Sequence, residues 1–364
     1  MGRKPFEREI VEKLSTKKQI LFVIILTAGF LLLGELGIRT WAYYFRASYE
    51  QYNRHTGRLE LIPNLHHVEK NGHEFRTNSR GFVGAEFDDV PVADTKRIIA
   101  IGDSCTFTLG LWEIAYPAVV EQKLNRSAVQ GQYEYINAGV EGYNSSFALA
   151  RIKDDVLRYK PRIVTIYIGW NDLMKQNPES QAEVGKPSLV GEVLNESYLV
   201  KAYTKVIFIY LRPLLFIPKV EPDETDLHAY DQYVPKRFEA NIREMINELK
   251  RNDVEAILFT LPTVLERGLT AEDLKKRGVF FPYYAGFFSL DRLLSLHAAY
   301  NRTIRTVAQQ EGVPLIDLDE KFNGLDRRKL FWDTMHPSEK GNAVIADLVS
   351  ERILSLQIGK ESSR

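Results

Sequence analysis

An aspartate and a histidine lie three residues apart near the carboxyl terminus, in the segment DTMHP at residues 333–337. A serine hydroxyl is a weak nucleophile until a neutral imidazole accepts its proton, and the imidazole works best when a carboxylate fixes its tautomer. Asp333 and His336 can supply both groups from one loop. Alone, the pair also fits a helix-entry turn with a solvated histidine, so its interpretation depends on a serine placed beside it.

Three further segments carry residues suited to that chemistry: GDS at 102–104, NAG at 137–139 and GWND at 169–172. Ser104 supplies a hydroxyl. Gly139 has no Cβ, so its backbone N–H can approach a substrate oxygen closely. Each segment also has the composition of an ordinary turn. The indication of chemistry therefore comes from the set of four and not from any one member.

The elements that must position these residues alternate between strand and helix. Short apolar runs predict strands at residues 97–101, 134–137, 162–168, 254–261 and 313–318. Amphipathic stretches predict helices at residues 146–159, 235–250, 289–310 and 338–356. Parallel strands need long right-handed crossovers, so the alternation predicts an α/β three-layer sandwich with a central five-stranded parallel sheet. Ligands then belong at the carboxyl ends of the strands, where the motifs lie.

These four segments, in this order, resemble the blocks of the SGNH (GDSL-like) hydrolase and acyltransferase family over residues 74–356. The contexts GDSCTF, INAGVEGYNS and IGWND, with the lead-in NSRGFVG, resemble a bacterial membrane-tethered subgroup. The resemblance implies an SGNH/flavodoxin-like fold with Ser104 as nucleophile, His336 as base and Asp333 as its partner. It also implies an oxyanion hole formed by the N–H groups of Ser104 and Gly139 and the side chain of Asn171. Relatives commonly have glycine where Thr108 stands.

The amino terminus carries a membrane signal. Basic residues 1–18 form the predicted cytoplasmic terminus, and the apolar residues 19–40 form a predicted transmembrane signal anchor, with Glu35 near its far interface. Six basic residues precede the apolar run and three follow it, which predicts a single pass through the inner (plasma) membrane with a periplasmic catalytic domain. A cleaved signal peptide and a buried amphipathic helix remain alternatives.

The rest of the chain divides by composition. Residues 41–95 are polar and rich in turn formers, which predicts a stalk and irregular lead-in, and residues 96–358 are the predicted catalytic domain. A helical segment at about residues 190–230 interrupts it. Its apolar part, residues 198–217, is expected to cover the site or contact the bilayer. The aromatic residues 279–288 suit either a platform for a sugar or acyl chain or ordinary core.

Composition excludes several other functions. The 48 basic and 48 acidic residues balance, so no chain-wide field favours nucleic acid. A single cysteine, Cys105, excludes an internal disulfide and a multi-thiolate zinc site. The histidines other than His336 have no ligand-like spacing, and neither G-x-S-x-G nor a phosphate-binding glycine loop occurs. We therefore expect no metal and no cofactor.

Three functions fit these observations. The first is a serine esterase that removes an acetyl group from an extracytoplasmic polysaccharide or envelope glycan. The second is an O-acetyltransferase that uses the same residues and receives its acyl group from partner proteins of the envelope polysaccharide machinery. The third is a non-catalytic glycan-binding or scaffold subunit of an export assembly, since a fold never guarantees a function.

Overall fold

A computed structural model describes residues 16–45, 49–53, 55–68, 72–127, 132–175, 197–207, 219–276 and 289–361. The chain forms two compact units. The first comprises residues 1–48 and 184–211, and the second comprises residues 49–183 and 212–364.

The described elements are listed here in chain order. The strands are β1 (Glu50–Asn53), β2 (Arg58–Leu61), β3 (His66–Val68), β4 (Glu74–Arg76), β5 (Thr95–Gly102), β6 (Gln132–Asn137), β7 (Ile163–Tyr167), β8 (Glu255–Phe259) and β9 (Leu315–Ile316). The helices are α1 (Thr16–Phe45), α2 (Ser104–Phe107), α3 (Tyr116–Ser127), α4 (Ser145–Arg151), α5 (Trp170–Lys175), α6 (Tyr198–Lys205), α7 (Glu224–Leu227), α8 (Lys236–Arg251), α9 (Ala271–Lys276), α10 (Leu290–Glu311), α11 (Leu318–Lys321), α12 (Arg327–Leu330) and α13 (Glu339–Glu361).

A parallel sheet with the order β6-β5-β7-β8-β9 forms the centre of the second unit. Its central strand β7 is buried at every position. Helices cover both faces of the sheet, so the side chains Ile163, Val164 and Ile166 are shielded from water on both sides. Helices α3 and α13 pack together, and α8 packs against α4 and α10. The predicted five-stranded parallel sheet within an α/β sandwich is confirmed.

Hydrophobic periodicity predicted one helix correctly and a second only in part. Helix α8 buries the predicted stripe of Phe238, Ile242, Met245, Ile246 and Leu249. The helix predicted at residues 146–159 is α-helical only as far as Arg151. It continues as a π turn at Ile152–Val156 and a 3₁₀ turn at Leu157–Tyr159, and it ends at Lys160, whose φ is 51°.

The lead-in from Tyr49 to residue 95 belongs to the second unit. It contains the antiparallel pairs β1–β2 and β3–β4, and Phe75, Phe82 and Phe87 lie in the core. Their spacing follows neither a strand nor a helix period, which is why the sequence pattern predicted a stalk. In the NSRGFVG segment, Asn78 Oδ1 accepts hydrogen bonds from two backbone N–H groups of the turn that it begins.

The first unit pairs α1 with α6. By length and composition, Thr16–Trp41 suits a membrane span or a signal sequence, and its large apolar side chains are exposed. The Glu35 carboxylate accepts hydrogen bonds from Ser197 Oγ (2.7 Å), Tyr198 N (3.0 Å) and Leu199 N (2.8 Å). Glu35 therefore caps the amino-terminal end of α6.

Of the segment predicted to cover the site or contact the bilayer, residues 208–217 lie outside the described residues. The aromatic residues 279–288 also lie outside them.

Candidate active site

Ser104, His336 and Asp333 form a continuous hydrogen-bonded chain. His336 Nε2 lies 2.8 Å from Ser104 Oγ, and His336 Nδ1 lies 2.7 Å from Asp333 Oδ2. The second carboxylate oxygen, Asp333 Oδ1, accepts the backbone N–H groups of Met335 and His336, each at 3.0 Å. These contacts join residues 232 positions apart in the chain in the geometry that activates a serine.

Ser104 lies where β5 passes into the short helix α2. The preceding residue, Asp103, is the N-cap, and its Oδ1 accepts the backbone N–H of Cys105 at 2.9 Å. Ser104 is 9% exposed, so its hydroxyl lies at the edge of the buried region. No described residue accepts a hydrogen bond from the Ser104 N–H, which is the first N–H of α2. That donor can therefore serve a substrate oxygen.

The charges around His336 favour its protonated form. Burial, the largest influence, lowers the pKa of His336, but the hydrogen bond and charge of Asp333 outweigh it and raise the pKa above its ordinary value. For Asp333 the directions are reversed. Burial acts to raise its pKa, but the hydrogen bonds and charge of His336 hold that pKa below its ordinary value. The pair is therefore arranged to accept and stabilise a proton on the imidazole.

Asp103 is a second carboxyl group near the nucleophile. Its side chain is fully buried, and burial raises its pKa to about 6. Asp103 Oδ2 has no partner among the described residues. Its contact with the Cys105 N–H indicates that Asp103 orients the start of α2.

Gly139 packs directly against α2. A Cβ added at Gly139 would lie 2.4 Å from the Phe107 nitrogen, so only glycine fits without a shift of the backbone. Its N–H, predicted as an oxyanion donor, donates to Asn137 Oδ1 at 2.9 Å. Asn137 Nδ2 in turn donates to the Thr106 carbonyl at 2.8 Å. Asn137 thus ties the Gly139 loop to α2.

The sequence pattern placed Asn137 at the end of a predicted strand, in the segment NAG, and gave its side chain no role. An amide side chain at the carboxyl end of a buried strand is a signal that could have marked Asn137 as a candidate for positioning the site.

Asn171 lies in the first turn of α5 and is 6% exposed. Its Nδ2 donates to the Tyr143 carbonyl at 3.0 Å. An amide nitrogen carries two N–H groups, so a second donor can serve a substrate oxygen. The next residue, Asp172, accepts from the Ser145 backbone and hydroxyl, at 2.8 and 2.5 Å, and so fixes α5 to the start of α4.

The loop after α2 holds three consecutive residues at positive φ: Thr108 at 52°, Leu109 at 55° and Gly110 at 72°. A side chain with a Cβ disfavours this left-handed region. Thr108 therefore stands in this region with some strain, at the position for which the family resemblance implies glycine. A Cβ at Gly110 would lie 2.2 Å from the Phe75 ring, which explains why glycine stands there.

Other reactive side chains in the described structure are placed for packing. Cys105 is fully buried, and burial raises the pKa of its thiol well above the usual range, so the thiol is a poor nucleophile. Burial lowers the pKa of His297, whose Nε2–H donates to the Leu261 carbonyl at 2.6 Å. The described residues contain no cluster of three or more histidine, cysteine, aspartate or glutamate side chains suited to a metal ion.

Several solved structures are similar to this chain. An acetyl xylan esterase, AlAXEase, is 19% identical at a TM-score of 0.44, over 71% of this chain and 99% of that chain. The acetylxylan esterase Axe2 from Geobacillus stearothermophilus is 19% identical at a TM-score of 0.44, over 71% and 94%. A GDSL-like lipase from Bacteroides thetaiotaomicron is 17% identical at a TM-score of 0.43, over 73% and 91%. No curated protein matches the chain.

A family model described as "GDSL-like Lipase/Acylhydrolase family" matches residues 100–344. This match covers more than half of the chain and includes the serine, the glycine, the asparagine and the Asp-His pair of the four motifs. The chain therefore belongs to the GDSL-like lipase/acylhydrolase (SGNH) family of hydrolases.

Proposed function

We propose that this protein is a membrane-anchored serine esterase that removes acetyl groups from an extracytoplasmic polysaccharide or envelope glycan. The observation that carries the catalytic part is the hydrogen-bonded chain Asp333–His336–Ser104, with distances of 2.7 and 2.8 Å. Both hydrogen bonds needed to activate the serine are therefore in place.

Acylation begins when His336 Nε2 takes the proton from Ser104 Oγ and the oxygen attacks the ester carbonyl carbon. The carbonyl π electrons move to the oxygen and give a tetrahedral oxyanion. When this intermediate collapses, the bond to the sugar oxygen breaks, and His336 returns its proton to that oxygen. The products are a free sugar hydroxyl and an acyl-Ser104 ester.

The oxyanion needs donors that are in place before the reaction. The Ser104 N–H and the second N–H of Asn171 Nδ2 are the two donors that we assign to it. Gly139 joins them only when its N–H exchanges Asn137 Oδ1 for the substrate oxygen. Loss of one such donor typically costs about 2.7 to 4 kcal/mol in the barrier.

Deacylation repeats the sequence with water. His336 takes a proton from water, the resulting hydroxide attacks the acyl carbon, and Ser104 Oγ leaves with the proton that His336 returns. A sugar hydroxyl in place of water would transfer the acyl group instead, so the nature of the acceptor decides between esterase and transferase.

The anchor supports an extracytoplasmic site. Glu35 accepts three hydrogen bonds from the start of α6, which is part of the insertion in the catalytic region. Cleavage of α1 as a signal peptide would remove that acceptor from Ser197, Tyr198 and Leu199. This supports a retained anchor, with the catalytic domain on the side of the membrane opposite the basic amino terminus.

The test is intact-mass spectrometry of the full-length chain in detergent after exposure to p-nitrophenyl acetate or a fluorophosphonate. We expect one adduct on Ser104, none in Ser104→Ala, and an unchanged adduct in the control Ser355→Ala, which alters a solvent-exposed serine of α13. Absence of an adduct from folded wild-type protein would overturn the proposal in favour of a non-catalytic subunit.

A further inference from the structure

A cavity of about 490 Å³ lies beside the catalytic chain, and Asp333 itself forms part of its wall. The wall also includes Phe331, Trp332, Arg328 and Lys276. This volume is within the range of about 300 to 1,000 Å³ that small-molecule sites occupy. One imidazole ring, that of His336, separates Asp333 from Ser104. Neither Ser104 nor His336 lines the cavity, so a group bound there would lie about the width of one imidazole ring from the ester under attack.

Trp332 gives the cavity an aromatic wall. It directly precedes Asp333 and is 39% exposed, whereas the Phe331 side chain is 6% exposed and belongs to the core. The Trp332 backbone N–H donates to the His336 carbonyl at 2.9 Å, so the backbone at Trp332 is fixed to the catalytic loop. A large ring held partly exposed at a site wall is suited to stacking on the apolar C–H face of a sugar.

The charged side chains of the wall oppose a long acyl chain as the occupant. Lys276 and Arg328 contribute two positive groups, and Asp273 and Asp333 contribute two negative groups. The Lys276 and Arg328 side chains are 70% and 67% exposed, so they reach water and can hydrogen-bond a polar ligand. A balanced set of donors and acceptors suits a neutral polyol, because hydrocarbon packed against these charged groups would remove their water without replacing its hydrogen bonds.

We propose that this cavity is the subsite for the sugar ring that carries, or adjoins, the scissile ester, with Trp332 as the stacking platform and Lys276 and Arg328 as hydrogen-bond donors to its hydroxyls. This inference rests on the proposed esterase function and deepens it, because it assigns a carbohydrate subsite to particular residues. Trp332 is here a specificity residue that contacts the non-reacting part of the substrate.

The experiment measures the activity of the full-length chain in detergent on two kinds of ester substrate. One is p-nitrophenyl acetate, which has no sugar. The other is a panel of partly O-acetylated cello-, xylo-, manno- and N-acetylglucosamine oligosaccharides. For Trp332→Ala we expect the ratio of kcat/KM for the best oligosaccharide to kcat/KM for p-nitrophenyl acetate to fall about tenfold or more. Trp332→Phe, which keeps an aromatic ring, should retain most of the ratio.

Leu325→Ala is the matched control, because Leu325 is a similarly exposed apolar side chain (44%) that lies outside the cavity wall. Its ratio should stay near the wild-type value. A binding measurement that needs no turnover complements the kinetics. In Ser104→Ala protein, oligosaccharide should change the tryptophan fluorescence, and Ser104→Ala/Trp332→Phe protein should lose that change.

The outcomes separate the two proposals. If Trp332→Ala leaves the ratio of the two kcat/KM values unchanged, whether or not both values fall, the subsite is overturned while the esterase stands. If the wild-type protein cleaves p-nitrophenyl acetate but no member of the panel, the carbohydrate assignment is overturned and the activated serine stands. If no ester acylates Ser104, the proposed function itself fails.

Discussion

Asp333 binds His336 through both carboxylate oxygens: Oδ2 lies 2.7 Å from the ring Nδ1, and Oδ1 accepts the backbone N–H of the same residue at 3.0 Å. This double contact fixes the loop and the ring together. The ring can then present its unprotonated Nε2 only toward Ser104. The short spacing of Asp333 and His336 in the chain is thus the feature that determines the tautomer.

Replacing Asp333 by asparagine tests this relationship. The amide retains the size of the side chain but can present an N–H to Nδ1, which favours the tautomer that cannot accept the Ser104 proton. We expect kcat for p-nitrophenyl acetate to fall by about 10⁴-fold, as for comparable triads. A melting temperature near that of wild type would show that the loss is chemical. A loss of less than about tenfold would contradict the role of Asp333.

The pH dependence of activity follows from the pKa of His336. Catalysis requires the neutral ring, and Asp333 raises the pKa of His336 above its ordinary value of 6.5 despite the opposing effect of burial. Activity should therefore rise with pH, and kcat/KM should reach its half-maximal value above pH 6.5. In Asp333→Asn the carboxylate no longer stabilises the cation, so the midpoint of the residual activity should move to lower pH. A wild-type midpoint below 6.5 would contradict this account.

The sequence predicted the sheet because buried parallel strands are continuous apolar runs, and Ser104 and Asn171 follow two of these runs. The roles expected of Ser104, Asp333 and His336 came from the family resemblance, and the structure brings their side chains together. The burial of Phe75 and Phe82 could not be predicted in the same way, because these rings enter the core from an irregular segment. Their burial depends on where the chain folds back onto the sheet, and no periodicity encodes that.

The oxyanion donors show the same limit at the level of single hydrogen bonds. A glycine after a strand predicts close approach to a neighbour, and Gly139 does approach closely, but its neighbour is the backbone of α2. Whether the Gly139 N–H faces a substrate depends on the Asn137 side chain, which accepts it at 2.9 Å. Which acceptor the N–H binds depends on the tertiary structure and cannot be predicted from the sequence pattern.

Asn171 is expected to stabilise the oxyanion through the second N–H of its amide. We predict that Asn171→Ala lowers kcat by about 10² to 10³-fold and changes KM little, because the charge on the oxygen develops only in the transition state. Steady-state kinetics with p-nitrophenyl acetate measure both constants. Asn323→Ala, a change at an exposed asparagine, is the control and should match wild type. A rise in KM with unchanged kcat would instead indicate a role in ground-state binding.

Asp103 makes the stability of the fold depend on pH. Burial raises its pKa from 3.8 to about 6, so the folded state favours the protonated carboxyl. The stability that this provides is fully present below the unfolded pKa and is lost as pH rises through about 6, with a total of about 3 kcal/mol at about 1.4 kcal/mol per pKa unit. Asp103→Asn keeps an oxygen for the Cys105 N–H and removes the charge.

We therefore expect Asp103→Asn to raise the melting temperature at about pH 8 and to change it much less at about pH 4. Thermal unfolding at both pH values, followed by circular dichroism, measures the difference. Equal shifts at the two pH values would show that the buried charge is not the cause.

Glu35 is expected to hold the start of α6 against α1, because its carboxylate accepts the N–H groups of Tyr198 and Leu199 and the hydroxyl of Ser197. Loss of such a cap costs about 1 kcal/mol, which corresponds to about a fivefold increase in local opening. Hydrogen exchange of full-length protein in detergent should show this increase for Tyr198 and Leu199 in Glu35→Ala. Glu35→Gln, which keeps one acceptor oxygen, should give a smaller increase.

For protein isolated from membranes, we expect an intact mass that includes residue 1. A helix that had been cleaved off could not supply Glu35. Unchanged exchange in Glu35→Ala would show that α6 does not depend on this carboxylate. A mass that lacks Glu35 and the residues before it would show that the helix is removed and that the start of α6 in the mature protein finds its acceptor elsewhere.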